Sequence, residues 1–146
     1  MADRVGAGDA FAAAIIVKLY CPIPDLFSYL NYIHFYIYPM ESGKYRLLDE
    51  RYRQIAYDLI LPLHNIKPTL PIPAGGVYPG IVPKITSELG FDCAISAGGA
   101  IHGHPLGATA GAKAFRQAID AVVADISLDE YAKDHEELKV ALGKWG

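Results

Sequence analysis

Residues 70–111 read LPIPAGGVYPGIVPKITSELGFDCAISAGGAIHGHPLGATAG and hold one pattern twice. Leu70-Pro71-Ile72-Pro73 leads into Ala74-Gly75-Gly76, and Cys93-Ala94-Ile95-Ser96 leads into Ala97-Gly98-Gly99. A helix-like segment follows each copy. Each apolar run is too short for a helix and reads as a strand buried on both faces. A glycine pair at a strand's carboxyl end permits the positive-φ turns that aim backbone N–H groups at an anion. Two adjacent parallel strands ending in this way describe a phosphate cradle built from Gly75, Gly76, Gly98 and Gly99. The alternative is two tight strand-to-helix turns with no ligand.

The same alternation continues outward. Ile33 to Tyr38, IHFYIY, is aromatic and β-branched and predicts a strand, with Pro39 to Lys44 as the loop at its carboxyl end. Over 49–61, Tyr52, Ile55, Ala56, Leu59 and Ile60 share one face of a helix that Pro62 closes. Pro71 and Pro73 remove two ladder donors from the strand at 70–73, which predicts loose pairing on one of its sides. After Gly76, a helix buries Ile81, Val82, Ile85 and Leu89 and ends at Gly90 as its C′ residue. The segment 112–124 is the clearest helix, with Phe115, Ala118, Ile119, Val122 and Val123 on one face. Ser127 is placed to cap a last helix running from Leu128 to about Leu142, and Trp145 reads as a packing anchor. Strands alternating with helices give a parallel βαβαβα sheet.

These residues also carry a family resemblance. PIPAGGVYPGIVP, followed by AISAGGAIHGHPLGATAGAKAFRQAIDAV, resembles the end of the catalytic barrel of RuBisCO large chains and of the RuBisCO-like proteins. The resemblance runs from about Tyr36 to Gly146, and its most specific part is Gly98 to Gly107. It implies an α/β fold made of the last three units of a (β/α)8 TIM-type barrel. It implies that Gly75, Gly76, Gly98 and Gly99 bind the phosphate of a sugar-phosphate-type anion, consistent with the phosphate sites that follow the last two strands of such barrels. The family activity it implies is enolisation or isomerisation of a phosphorylated ketose-like substrate, with Mg2+ in the full-length enzymes. The family's metal-binding Lys-x-Asp-Glu segment has no counterpart here, so no metal ligand and no bound cofactor is expected within this chain, and whether it is itself an enzyme is left open. Gly43-Lys44 falls where RuBisCO carries a catalytic lysine, but the flanking residues match poorly. Lys44 is read first as a solvated loop charge and only second as catalytic. His102 and His104 are read as shaping their loop rather than as ligands or proton carriers, and His34 as a wall residue.

Residues 1–20 carry a second signal. Asp3 to Phe11, DRVGAGDAF, resembles the signature of the ribokinase (PfkB) sugar kinases. That resemblance implies an anion hole at Gly6, Ala7 and Gly8 and a catalytic base at Asp9. Physically, a Gly-rich turn that opens a helix concentrates N–H groups and positive dipole; the plain alternative is a helix start capped by Asp9. Pro22 and Pro24 end any such helix. The chain therefore divides into 1–32, an added N-terminal helix and Pro-containing linker, and 33–146, a RuBisCO-like C-terminal partial barrel. A carbohydrate-kinase fragment and a non-enzymatic interaction fragment stand as the alternative functions.

Composition sets the outer bounds. The 146 residues are 52% apolar with a net charge of −3. Nothing in this resembles a basic nucleic-acid footprint, and no apolar run reaches the roughly 18 residues of a membrane span. The start lacks the order of a signal peptide. Cys21 and Cys93 read as thiols of a cytoplasmic protein. Three barrel units leave two open sheet edges, which predicts association with another chain or closure by residues 1–30.

Overall fold

The computed structural model describes residues 14–15, 35–40, 48–62, 64–65 and 68–146. Among these residues four strands form one sheet: β1 (Ala14–Ile15), β2 (Phe35–Pro39), β3 (Leu70–Ala74) and β4 (Ile95–Ser96), in the order β1-β4-β3-β2. β2, β3 and β4 are parallel. The expected parallel sheet with sequential neighbours is therefore present. Helices α1 (Asp49–Ile60), α2 (Val82–Leu89), α3 (Gly99–His102), α4 (Ala108–Val123), α5 (Leu128–Tyr131) and α6 (Glu136–Trp145) follow in chain order.

β1 corrects one expectation. A helix was predicted to run from Asp9, but Ala14 and Ile15 pair antiparallel with Ser96 and Ile95. The apolar run at 14–17 includes two consecutive isoleucines and a valine, which suit a strand, and the edge of β4 is a ladder that would otherwise stay unpaired. Gly6, Ala7, Gly8, Asp9, His34 and Lys44 lie outside the described residues.

The two sides of β3 are unequal. Against β2 the register is complete, from Phe35↔Leu70 to Pro39↔Ala74. Toward β4 the ladder has the single pair Ala74↔Ser96, supported by Ala94 N–H donating to Pro71 O at 3.0 Å. That bond shows that residue 71 faces β4, and so by strand alternation does residue 73. Both positions lack an N–H, so β4 loses two donors that an ordinary strand would offer. Pro71 and Pro73 themselves are fully buried.

Period-two alternation then sorts the side chains. Tyr38 and Ile95 enter a core shared with Met40, Tyr52, Val82, Ile85, Phe115, Ile119 and Leu138 beneath the helices. Leu70, Ile72 and Ala94 form a small second cluster on the other face. Full burial of a side chain such as Phe115 stabilises the fold by roughly 1.5–3 kcal/mol.

The last expected helix is two helices. Ser127 does cap, its hydroxyl accepting from Glu130 N–H at 3.3 Å, but α5 stops at Tyr131. His135 is extended (φ −131, ψ 92), stacks on Tyr131 at 4.0 Å, and places its Nδ1 2.7 Å from Tyr131 O. α6 then restarts and runs against α4. Its Leu138 N–H, one of the donors that a helix start leaves unmet, is accepted by Gln117 Oε1 of α4 at 2.9 Å. The cap comes from a residue 21 positions away, so no local pattern announces it.

Candidate functional site: the two glycine turns at the sheet's carboxyl end

The pair Ala74↔Ser96 sets the geometry. Adjacent strands lie about 4.8 Å apart, so the turns that leave β3 at Gly75-Gly76 and β4 at Gly98-Gly99 start side by side. Gly75, Gly76 and Gly99 are exposed and Gly98 is half-buried. The register thus starts the two turns that carry these glycines at one end of the sheet.

The two turns differ in conformation. Gly75 and Gly76 both take positive φ, 86° and 72°, which a side chain resists. Positive φ was also expected at Gly98, and the structure corrects that: φ is −115° and ψ is −57°. Gly98 immediately precedes α3, whose first residue is Gly99, so the chain is already turning in the right-handed sense. The second turn admits glycine for its lack of a side chain and not for its backbone angle. A Cβ built on Gly99 would meet nothing within 4 Å, so the space beside it is open.

Behind the second turn stands His104, 4% exposed. Leu106 N–H donates to its Nδ1 at 3.1 Å, and its Nε2 lies 3.0 Å from Glu137 O. A carbonyl only accepts, so Nε2 carries the proton and the ring is the neutral Nε2–H tautomer. Both ring nitrogens are committed to backbone, and His104 ties the loop after α3 to α6. His102 is exposed. The Glu137 side chain strengthens the same junction. Gln117 donates to it at 2.9 Å and Lys113 pairs with it at 3.2 Å. The hydrogen bond from Gln117, then those from its own backbone and Lys113, hold its carboxyl down to about 2.

Perturbed acids lie elsewhere. Burial, with Asp92 nearby, pushes the Cys93 thiol up to about 12, which leaves no thiolate nucleophile at neutral pH. Burial likewise raises the Tyr38 and Tyr52 phenols, which sit in the core beneath the helices. Among the described residues no group of three or more His, Cys, Asp or Glu converges to hold a metal. Magnesium, implied by the family resemblance, therefore finds no fitting donor set among them. Among those residues also, no helix is long and apolar enough to cross a membrane.

Sequence reasoning assigned the glycines and the loop-shaping histidine. It missed Gln117, Lys144 and Gly103, which act through contacts between distant segments.

Comparison with known proteins points to one family. A family model described as the ribulose bisphosphate carboxylase large chain, catalytic domain, matches residues 44–145. A ribulose bisphosphate carboxylase of Archaeoglobus fulgidus is 48% identical over 91 residues, 62% of this chain and 21% of that protein. A 2,3-diketo-5-methylthiopentyl-1-phosphate enolase of Exiguobacterium sibiricum is 43% identical over 110 residues, 75% of this chain and 28% of the relative. Among solved structures, octameric Rubisco from Pyrococcus horikoshii superposes with a TM-score of 0.71 at 38% identity, covering 77% of this chain and 27% of the other. A rubisco-like protein from Alicyclobacillus acidocaldarius gives 0.71 at 42% identity, covering 77% and 28%. The chain spans from about a fifth to just over a quarter of these relatives' length.

Proposed function

The chain belongs to the RuBisCO large-chain catalytic-domain family, and from that premise we propose that its two glycine turns form the phosphate-binding part of a sugar-phosphate site. β2, β3 and β4 with their helices are then the last three units of a (β/α)8 barrel. The observation that carries the reading is the Ala74↔Ser96 register, which sets two exposed Gly-Gly turns side by side at the carboxyl end of parallel strands. That is where barrels of this type bind phosphate. Glycine lets the backbone approach an anion closely and present N–H groups to it. The substrate class is that of a phosphorylated ketose, by likeness to an enolase of a diketo-phosphate. Among the described residues no cluster of His, Cys, Asp or Glu stands ready to hold a metal for the enolisation itself.

Association with another chain belongs to the same reading. Among the described residues β2 is an edge strand, with Tyr36 and Ile37 about half exposed, the kind of edge that accepts a further strand. The solved relatives include an octamer and a dimer. A cytoplasmic setting fits the free Cys93. The kinase alternative rests on Gly6 to Asp9, outside the described residues.

The test is titration of the isotopically labelled chain with inorganic phosphate and then with a phosphorylated ketose. Amide resonances of Gly75–Val77 and Gly98–Ala100 should move together and saturate. Absence of movement in either turn overturns the proposal.

A further inference from the structure

The β3–β4 ladder holds only one residue pair, because Pro71 and Pro73 face it. That single pair, Ala74↔Ser96, starts the two turns side by side but leaves the segments beyond them to be fixed by other contacts.

α6 touches the segment that follows each turn. Beyond Gly75-Gly76 the chain makes a 3-10 turn, Pro79–Ile81, that rests on α6. A Cβ built on Gly80 would stand 3.4 Å from Leu142 Cδ2 and 3.4 Å from the Gly146 carbonyl carbon. Beyond Gly98-Gly99, α3 ends at Gly103. Its carbonyl accepts from Lys144 Nζ, and a Cβ there would stand 3.6 Å from Trp145 Cζ2. Lys144 in turn lies over the Trp145 ring at 4.8 Å. His104 adds the bond to Glu137 O at 3.0 Å, at the other end of α6. The segments beyond both turns thus rest on one ten-residue helix and its cap, at Leu142 and Gly146 on one side and at Lys144 and Trp145 on the other.

We propose that α6 is the positioning element of the anion site: Trp145 and Lys144 hold the exit of the second glycine turn at a set distance from the first, which Leu142 holds. The proposal rests on the reading of the glycine turns as a phosphate site, and deepens it. Trp145 and Lys144 are positioning residues; they need not touch the anion. A side chain at 103 is opposed by the Gly99 carbonyl oxygen, 2.8 Å from a Cβ there, while the indole lies in ordinary contact beside it.

The experiment separates the brace from the binding. Amide spectra of wild type, Trp145→Ala, Trp145→Phe and Lys144→Met are recorded first without phosphate. Lys144→Met keeps the long aliphatic stem of an exposed residue, so it stays folded if Trp145→Ala does not. The expected result is displacement of Gly98–Ala100 and Gly75–Val77 resonances in Trp145→Ala, displacement of Gly98–Ala100 in Lys144→Met, and their return in Trp145→Phe. Inorganic phosphate is then titrated. Binding should weaken by about tenfold in Trp145→Ala, equivalent to about 1.4 kcal/mol, with recovery in Trp145→Phe. If folded variants change only at residues touching 144 and 145, the brace is wrong whatever the phosphate result. If the brace shifts appear but wild type binds no phosphate, the anion reading falls and the brace stands.

Discussion

Gly111 of α4 lies against the backbone of Ile101 in α3, so close that a Cβ at 111 would stand 2.3 Å from the Ile101 carbonyl oxygen and 2.7 Å from its Cα. The obstacle is main chain and cannot rotate aside. Gly111→Ala should therefore destabilise the protein by about 3 kcal/mol, although alanine by itself favours a helix by about 1 kcal/mol. Urea unfolding measures this. A midpoint equal to wild type would mean that α3 and α4 separate at little cost.

The two glycine turns should respond differently to the same change. Gly76→Ala puts a side chain at φ 72° and should cost about 1 kcal/mol of stability. Gly99→Ala enters open space at a helix start and should leave stability within about 0.5 kcal/mol, yet weaken phosphate binding by filling the place of the ligand. Thermal unfolding beside a phosphate titration checks both. Equal stability losses would refute the conformational difference.

Glu137 predicts an acid-sensitive junction. Its folded carboxyl is held from the ordinary 4.5 down to about 2, by Gln117 first. A depressed pKa contributes stability that is present above the ordinary value and is lost as pH falls toward the folded one. The advantage of wild type over Glu137→Gln should be constant above about pH 5 and shrink between 4.5 and about 2. A difference independent of pH in that window would show that the carboxylate is not what joins α4 to α6.

Tyr38 and Tyr52 pack with ring centroids 5.5 Å apart, and both hydroxyls are buried without a hydrogen-bond partner among the described residues. Removing an unpaired buried hydroxyl relieves its desolvation, so Tyr52→Phe should be neutral or stabilise by about 1 kcal/mol. Burial, above all, raises both phenols from 10.0. A raised pKa gives stability that is whole below the ordinary value and is lost as pH rises past it. Tyr52→Phe should accordingly tolerate alkali better than wild type. Unfolding midpoints followed from pH 8 upward would contradict this if the variant were the more alkali-sensitive.

Much of this was legible in the chain itself. The doubled strand-Ala-Gly-Gly pattern located two parallel strands and the turns that leave them, because strand length and glycine pairs are local signals. Pro71 and Pro73 announced a one-sided ladder because a missing N–H is a property of the residue alone. Closure of an open edge by residues 1–30 was legible in the three-unit sheet, and Ala14–Ile15 provides it on β4, as a strand and not as the expected helix. Two features were not legible. The break at Ala132–His135 rests on the Tyr131–His135 stack and on Gln117 reaching Leu138, both set by tertiary packing. Gly98 was expected to resemble Gly75, yet α3 begins at once and takes the right-handed region instead.

The Gln117 cap has a bearing on the order of assembly. A ten-residue helix is too short to persist alone in water, and the start of α6 is completed only when α4 offers the Gln117 side chain. α6 therefore forms as it docks. Because α6 also touches the segment beyond each glycine turn, its docking on α4 and the fixing of those two segments are a single event.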